Sequence, residues 1–233
     1  MKIPVVKKIL SANDQVAASN RTAFDTANVF VVNVMASPGA GKTSLILSTI
    51  EHLPDDIRPG VIEGDLASSI DADTIAERGI PVVQINTGGS CHLDASMLQS
   101  ALPSFPLQDV NLLFIENVGN LVCPASFALG ANLSVVVSSM TEGHDKPYKY
   151  PKMFSTVNGV VLNKADLSEV FQFDVDYFRR GVEMVNADVP FFVLSCRTGE
   201  GVREWTAWLV EQMRTLMQAE GAARSQERVV SHH

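Results

Sequence analysis

At 233 residues with 46% hydrophobic content, the chain is long enough to bury a sizeable core and fits one α/β domain with, at most, a small appendage. Its 18 Lys and Arg against 26 Asp and Glu leave a net charge of −8, which repels phosphate backbones and speaks against a nucleic-acid partner. Nowhere do about eighteen apolar residues run together and the start is not signal-like, so no membrane span or export is expected; three cysteines, Cys91, Cys123 and Cys196, are too few and too odd in number for a disulfide framework, and a cytoplasmic, reducing setting is expected.

In chain order, the polar stretch "ANDQVAASNRTAFDTAN" predicts an amphipathic helix, so residues 1–27 are read as a helical extension packed on the main domain. Short runs rich in Val, Ile, Leu and Phe then recur: "NVFVVNVM" (28–35), "GVIEGD" (60–65), "PVVQIN" (81–86), "NLLFIEN" (111–117), "LSVVVSS" (133–139), "GVVLNKAD" (159–166) and "PFFVLSC" (190–196). These predict buried strands. Between them "KTSLILSTIEHL", "LDASMLQSAL", "DVDYFRRGVEMVNA" and "REWTAWLVEQMRTLMQA" have helical character. The alternation predicts an α/β fold: a doubly wound, mostly parallel sheet of about seven strands with helices on both faces, one domain over residues 28–218. Residues 219–233, which end in a His pair, are expected to form a flexible tail.

Ligands of such sheets bind at the carboxyl ends of the strands. The first strand ends in "MASPGAGKTSLIL". There the backbone from Ser37 through Gly39, Ala40, Gly41, Lys42, Thr43 and Ser44 can cradle phosphates at a helix N-terminus. Lys42 reaches the β and γ oxygens and the Thr43 hydroxyl goes to Mg²⁺. The pattern is G-x-x-x-x-G-K-T with Ala36 at its first position, so a turn usually made by Gly is expected to form with a methyl present, helped by Pro38-Gly39. The competing reading is a strand-to-helix turn whose glycines serve packing alone.

The base is chosen by "VVLNKADL". Asn163, Lys164 and Asp166 form the N-K-x-D pattern, in which the Asp166 carboxylate accepts from guanine N1–H and the 2-amino group, donors that adenine lacks. Lys164 packs its stem over the purine and Asn163 ties loops together. In "SCRTGEG", Ser195 and Cys196 stand where a backbone N–H meets guanine O6. A surface turn is the plainer alternative for this motif. Glu116, at the end of "NLLFIE", takes the place of the Asp in D-x-x-G; its carboxylate would hold a water of the Mg²⁺ shell while the Gly119 amide meets the γ-phosphate. Asp65 in "EGD" and Asp71 in "SSIDAD" fall where the first mobile switch is expected, one of them near Mg²⁺, with helix capping as the structural alternative. Lys42, Asp71 and Glu116 are the candidate catalytic groups. No Gln or Arg is evidently placed to organise the attacking water, so slow intrinsic turnover of GTP to GDP is expected.

"TGGSCHLDAS" sets Cys91 beside His92 just after a strand, and "ENVGNLVCPASF" brings Cys123 to the same edge. Two thiolates and an imidazole suit Ni²⁺ or Zn²⁺ and leave coordination positions open. From spacing alone an equally weighted alternative stands: two thiols acting as small hydrophobes and a loop histidine bonded to backbone.

Together "NVMASPGAGKTSLI", "VIEGDLASSIDA", "VQINTGGSCHLDASM", "LFIENVGNLVCPASFALG", "TEGHDKPYKYPKMF", "VVLNKADL" and "SCRTGEG" resemble the HypB family, GTPases of the SIMIBI class that assist nickel insertion into [NiFe]-hydrogenases. The likeness runs from about residue 10 to about residue 215. It implies that Cys91, His92 and Cys123 form a nickel or zinc site at the interface of a homodimer assembled with GTP and metal. It implies also that Asp71 and Glu116 lie near Mg²⁺ and that Lys149 approaches the nucleotide in the dimer. The implied partners are a HypA-like nickel chaperone and the [NiFe]-hydrogenase large-subunit precursor. Residues 1–10 hold no Cys or His, unlike the Cys-rich or His-rich segments of many members, so nickel storage is not expected. A urease-type, UreG-like nickel GTPase and a regulatory GTPase with an incidental Cys/His cluster are the alternatives.

Overall fold

β-Branched and aromatic residues build the strands β1 (Phe30–Ala36), β2 (Pro59–Asp65), β3 (Val82–Asn86), β4 (Leu112–Glu116), β5 (Leu133–Ser139), β6 (Gly159–Asn163) and β7 (Phe191–Val193). They form one sheet in the order β3-β2-β4-β1-β5-β6-β7, with parallel neighbours throughout. The computed structural model describes residues 5–65 and 70–230, with side chains over 12–65 and 70–219. The helices are α1 (Val5–Ala27), α2 (Lys42–Ile50), α3 (Ile70–Ala76), α4 (Ala95–Ala101), α5 (Lys146–Lys149), α6 (Pro151–Ser155), α7 (Ser168–Phe171), α8 (Val175–Glu183) and α9 (Val202–Val230). Where a mostly parallel sheet was expected, the described strands are all parallel.

Period-two alternation divides the core. Phe30, Val32, Val34 and Ala36 of β1 face α2 and α9, with Leu45, Ile46, Trp205 and Leu209. Val31 of β1 joins Ile62, Leu113 and Ile115 under Phe24 of α1 and Leu98 of α4. Met35 joins Val136, Val160 and Leu162 under Phe154 of α6 and Phe178 of α8. All seven residues of β1 are buried, as a central strand covered on both faces requires. The Trp205 indole N–H donates to Thr49 Oγ1 at 2.9 Å, which fixes α9 against α2.

Helix α1 ends where Asn28 turns into the left-handed region at φ 58, and Val29 N returns a bond to Phe24 O at 3.0 Å. Buried asparagines fasten the helix to the domain. Asn13 accepts from Ala95 N and donates to Ala128 O, both at 2.9 Å, while Asn20 donates to Ala95 O at 2.9 Å. A Cβ on Gly130 (φ +89) would lie 2.5 Å from Ala17 O, so α1 approaches that loop as closely as glycine allows.

Two stretches differ from the sequence expectation. The last strand ends at Val193 because Ser195 leaves the ladder for a turn, its N–H donating to Glu200 O at 2.9 Å. The polar stretch expected as a tail continues α9 to Val230; the final His pair and residues 66–69 lie outside the described residues. Among those described, no helix is long and apolar enough to cross a membrane.

Asn20 is 1% exposed, so Asn20→Ala should strand the Ala95 carbonyl and cost roughly 1–3 kcal/mol. Chemical denaturation checks it, and an unchanged midpoint would show that the Asn20 amide does not help hold α1.

Candidate nucleotide and metal sites at the strand ends

At the carboxyl end of β1, Ala36 is still in the strand and fully buried. The turn comes after it, with Gly39 at φ 76 and Gly41 at φ 99 capping α2. The methyl at the first motif position therefore meets no strained backbone. Gly41 is needed twice over: a Cβ there would sit 2.5 Å from Asn163 Nδ2, which donates to Ala40 O at 3.0 Å. Ser37 donates to Glu142, whose other oxygen accepts from Ser139 N at 3.1 Å. Ser44 is exposed on the first turn of α2.

The N-K-x-D residues converge on this turn. Asn163, 2% exposed, also accepts from Lys164 N at 2.7 Å and Cys196 N at 3.2 Å, so one amide joins three loops. Lys164, in the left-handed region at φ 64, sends its ammonium to Gly39 O at 2.7 Å. Its stem thus lies beside the phosphate turn. Asp166 accepts from Ser195 Oγ at 2.6 Å, and Arg197 stands 3.7 Å from its other oxygen. Burial pushes the Cys196 thiol up to about 11, so it packs as an apolar group. Lys149 is exposed and pairs with Asp145, within its own helical turn.

Carboxylates gather on the other side of Lys42. Glu116, 3% exposed, accepts from Thr43 Oγ1 at 2.9 Å and lies 3.8 Å from Lys42 Nζ. Strand register sets Glu63 of β2 beside it. Glu63 is 2% exposed, and each of the two residues has a buried oxygen, Oε2, with no hydrogen-bond partner. Burial lifts both carboxyls to about 7 from 4.5, Glu63 further by its neighbour Glu116, while Lys42 pulls each back. Asp65 ends β2 and Asp71 lies in the first turn of α3; both add to the negative field at the two glutamates. Two orphaned buried oxygens beside a threonine hydroxyl fit a divalent cation better than they fit an empty interior. Gly119 lies where a Cβ would come 2.9 Å from Pro38 Cα and N, so the segment after Glu116 presses on the phosphate turn.

Cys91, His92 and Cys123 meet on the face of the sheet opposite α2, at the same edge. Their ligand atoms lie within 4.8 Å of one another, with the two sulfurs 3.1 Å apart and Cys91 Sγ 3.8 Å from His92 Nδ1. Such spacing lets one ion reach all three. Cys91 is exposed. The His92 ring stacks on Phe127 at 3.9 Å, and partial burial lowers its pKa against the pull of Asp94, which favours the neutral, ligating imidazole. Beside it, the hydrogen bond shared with Cys91 and then burial push the Cys123 thiol up, so a metal must displace its proton on binding. The loop is set by Leu93, fully buried against Gly64, by Thr87 N donating to Asp65 O at 3.0 Å, and by Asp94 capping α4 through Met97 N at 2.8 Å.

Sequence reasoning missed Glu63, Glu142, Asn117 and Asn120. The signal for Glu63 was its place two residues before Asp65 in an otherwise apolar strand, which puts it on the same face. The asparagines carry no motif, and their roles arise from the segments that the fold brings near them. The glutamate pair has a pH signature. Carboxyls raised in the folded state hold protons that the unfolded chain has lost between about pH 4.5 and 7, so the stability they contribute falls as pH rises through that window. Glu63→Gln should therefore stabilise the metal-free, nucleotide-free protein by roughly 1–3 kcal/mol at about pH 8 and by little at about pH 5. Thermal melting at both values reads the difference, and an equal effect at both would exclude a buried charge.

Residues 30–193 match the family model of the CobW/HypB/UreG nucleotide-binding domain. The chain is 46% identical over 227 residues to the hydrogenase maturation factor HypB of Azotobacter vinelandii, covering 97% of this chain and 75% of that protein. It is 45% identical over 204 residues to the one of Escherichia coli (strain K12), covering 88% and 70%. The crystal structure of HypB from Helicobacter pylori in complex with nickel aligns with a TM-score of 0.85 at 36% identity, over 88% of this chain and 97% of that one. Likeness of this depth over nearly the whole length exceeds what shared motifs alone produce, and the chain belongs to the CobW/HypB/UreG family and, within it, to the HypB proteins.

Proposed function

We propose that this protein is a GTP-hydrolysing nickel metallochaperone serving [NiFe]-hydrogenase assembly, in which two copies pair around the Cys91, His92 and Cys123 clusters when GTP is bound. The observation that carries the reading is the meeting of those three ligand atoms within 4.8 Å on loops hydrogen-bonded to the strand ends that surround the phosphate turn. The names of the relatives, hydrogenase maturation factors, and the nickel held by a structural neighbour support nickel as the cargo; zinc fits the same donor set. Three protein ligands leave a tetrahedral ion one position short. A second copy, a water or a receiving protein fills it. Because Cys91 is exposed, an incoming ligand reaches the ion without opening the fold, which suits handover from a HypA-like nickel chaperone and onward to a hydrogenase large-subunit precursor.

Hydrolysis belongs to the other half of the edge. The backbone of Ser37 through Ser44 and the Lys42 ammonium hold the phosphates. Asp166 with the Ser195–Cys196 backbone reads guanine. Thr43, Glu116 and one of Asp65 and Asp71 are the residues to hold Mg²⁺, which supplies charge neutralisation for the phosphoryl oxygens. Water attacks the γ-phosphorus as the bond to the β-bridging oxygen breaks, giving GDP and phosphate. Glu116 engages Lys42 and Thr43; arriving phosphates take over Lys42 and Mg²⁺ takes over Thr43, and the strand end that leads to Cys123 feels the exchange. Lys149 is read as reaching nucleotide across the pair of copies. The setting expected for such an exchange of thiol-bound metal is the reducing cytoplasm.

Cys91→Ala should abolish stoichiometric nickel binding and leave GTP affinity within about twofold, read by metal analysis and nucleotide titration of the tag-free protein; loss of both would make the thiol a structural element. Asp166→Asn should lower the preference for GTP over XTP by roughly ten- to hundredfold. An unchanged preference in competition binding removes the base-reading role. Nickel bound per chain, measured in the nucleotide-free, GDP and GTP-analogue states, tests the function as a whole, and equal affinity in all three would refute a nucleotide-gated carrier.

A further inference from the structure

Nucleotide-dependent metal affinity needs a physical connection, because the phosphate turn and the thiol cluster lie on opposite faces of one sheet edge. Asn120 lies between Glu116 and Cys123 and touches both sides. Its backbone N–H donates to Ala36 O at 2.7 Å, where β1 gives way to the phosphate turn. Its side-chain amide donates to Cys91 O at 3.2 Å. Its Oδ1 accepts from Val122 N at 2.8 Å, bending the chain toward Cys123. The preceding residue, Gly119, is packed so tightly on Pro38 that a Cβ would lie 2.9 Å from the proline backbone. A phosphate that draws the Gly119 amide therefore moves Asn120 or the phosphate turn with it.

Asn117 offers a contrast. Its Oδ1 takes Leu93 N at 3.1 Å and Val118 N at 2.9 Å, but its own N–H belongs to the sheet, donating to Val34 O at 3.0 Å, and the residue is fully buried beside Asn33. It anchors the metal loop to the fixed part of the edge. Asn120 stands beyond Gly119, on the part that a γ-phosphate would shift.

We propose that Asn120 is the positioning residue through which the phosphate turn and the Cys91, His92 and Cys123 cluster sense one another. This role deepens the nickel-carrier function and rests on its nucleotide-gated metal site. With GTP bound, the Asn120 amide holds the Cys91 carbonyl and the Cys123 turn together so that the two sulfurs and the imidazole share one ion. When the γ-phosphate leaves, the hold relaxes and the ion is released more readily. Linkage makes the effect mutual, so nickel must tighten GTP to the same degree.

The test uses the full-length, tag-free protein, with nickel affinity measured by competition against a chromophoric chelator in the presence of Mg²⁺ and either GDP or a non-hydrolysable GTP analogue. The wild-type ratio of the two affinities should be at least about fivefold. Asn120→Ala should bring it close to one, by lowering nickel affinity in the GTP-analogue state to that of the GDP state. Asn120→Asp keeps the acceptor for Val122 N and removes the donor to Cys91 O. Its added charge strengthens nickel binding in both states alike, so its ratio should also approach one. Should the alanine variant fail to fold, the aspartate variant decides by the same ratio. A wild-type ratio preserved in the variants overturns the role of Asn120 and leaves the gated site standing; a wild-type ratio of one overturns both.

Discussion

Glu116 is a carboxyl group that the fold holds almost wholly out of water, at the end of a central strand, with Lys42 and Thr43 beside it to answer its charge. Beside it Glu63 is buried to the same degree, and each has an oxygen without a partner. An interior resists two such groups unless positive charge arrives. A divalent cation held beside the phosphate turn would relieve both. Everything downstream of Glu116, from the close contact of Gly119 on Pro38 to the turn carrying Cys123, is covalently attached to that unsatisfied carboxylate.

Parallel strands make this consequential. Because every described strand runs the same way, the ends of β1, β2, β3, β4 and β6 open on one edge, and β1 sits between β4 and β5, where connections depart to opposite sides. Alternating side chains then divide the labour. Glu63 and Glu116 point toward α2 and the turn before it, whereas Asn33, Asn117 and the loop of Cys91 belong to the opposite face. Two ligand sites share an edge without competing for space, and the strand ends are thin enough for a single residue to touch both.

The connections among these loops are made largely by asparagine. Asn163 joins the phosphate turn, its own loop and the Cys196 loop; Asn13 and Asn20 bind α1 to the head of α4; Asn120 links Ala36 to Cys91. An amide both donates and accepts, so one side chain satisfies backbone groups of two segments that no ladder pairs. An aspartate in its place would accept only and would bring a charge into an edge already rich in them.

Pattern and motif determined much of this protein. Apolar runs bounded by turn residues placed the seven strands to within a few residues, and the Lys42-Thr43 and N-K-x-D motifs, which the structure brings together, were legible because such chemistries require particular residues in sequence-local arrangements. The departure at Ala36 became intelligible only in three dimensions, where the residue proved to be strand and not turn. Tertiary structure alone decided that Cys91, His92 and Cys123 meet, since distance between loops after different strands is set by sheet order, which spacing does not encode. It also decided that Glu63 lies beside Glu116 and that Asn120 bridges two sites: register and packing bring together residues whose types, taken singly, are ordinary.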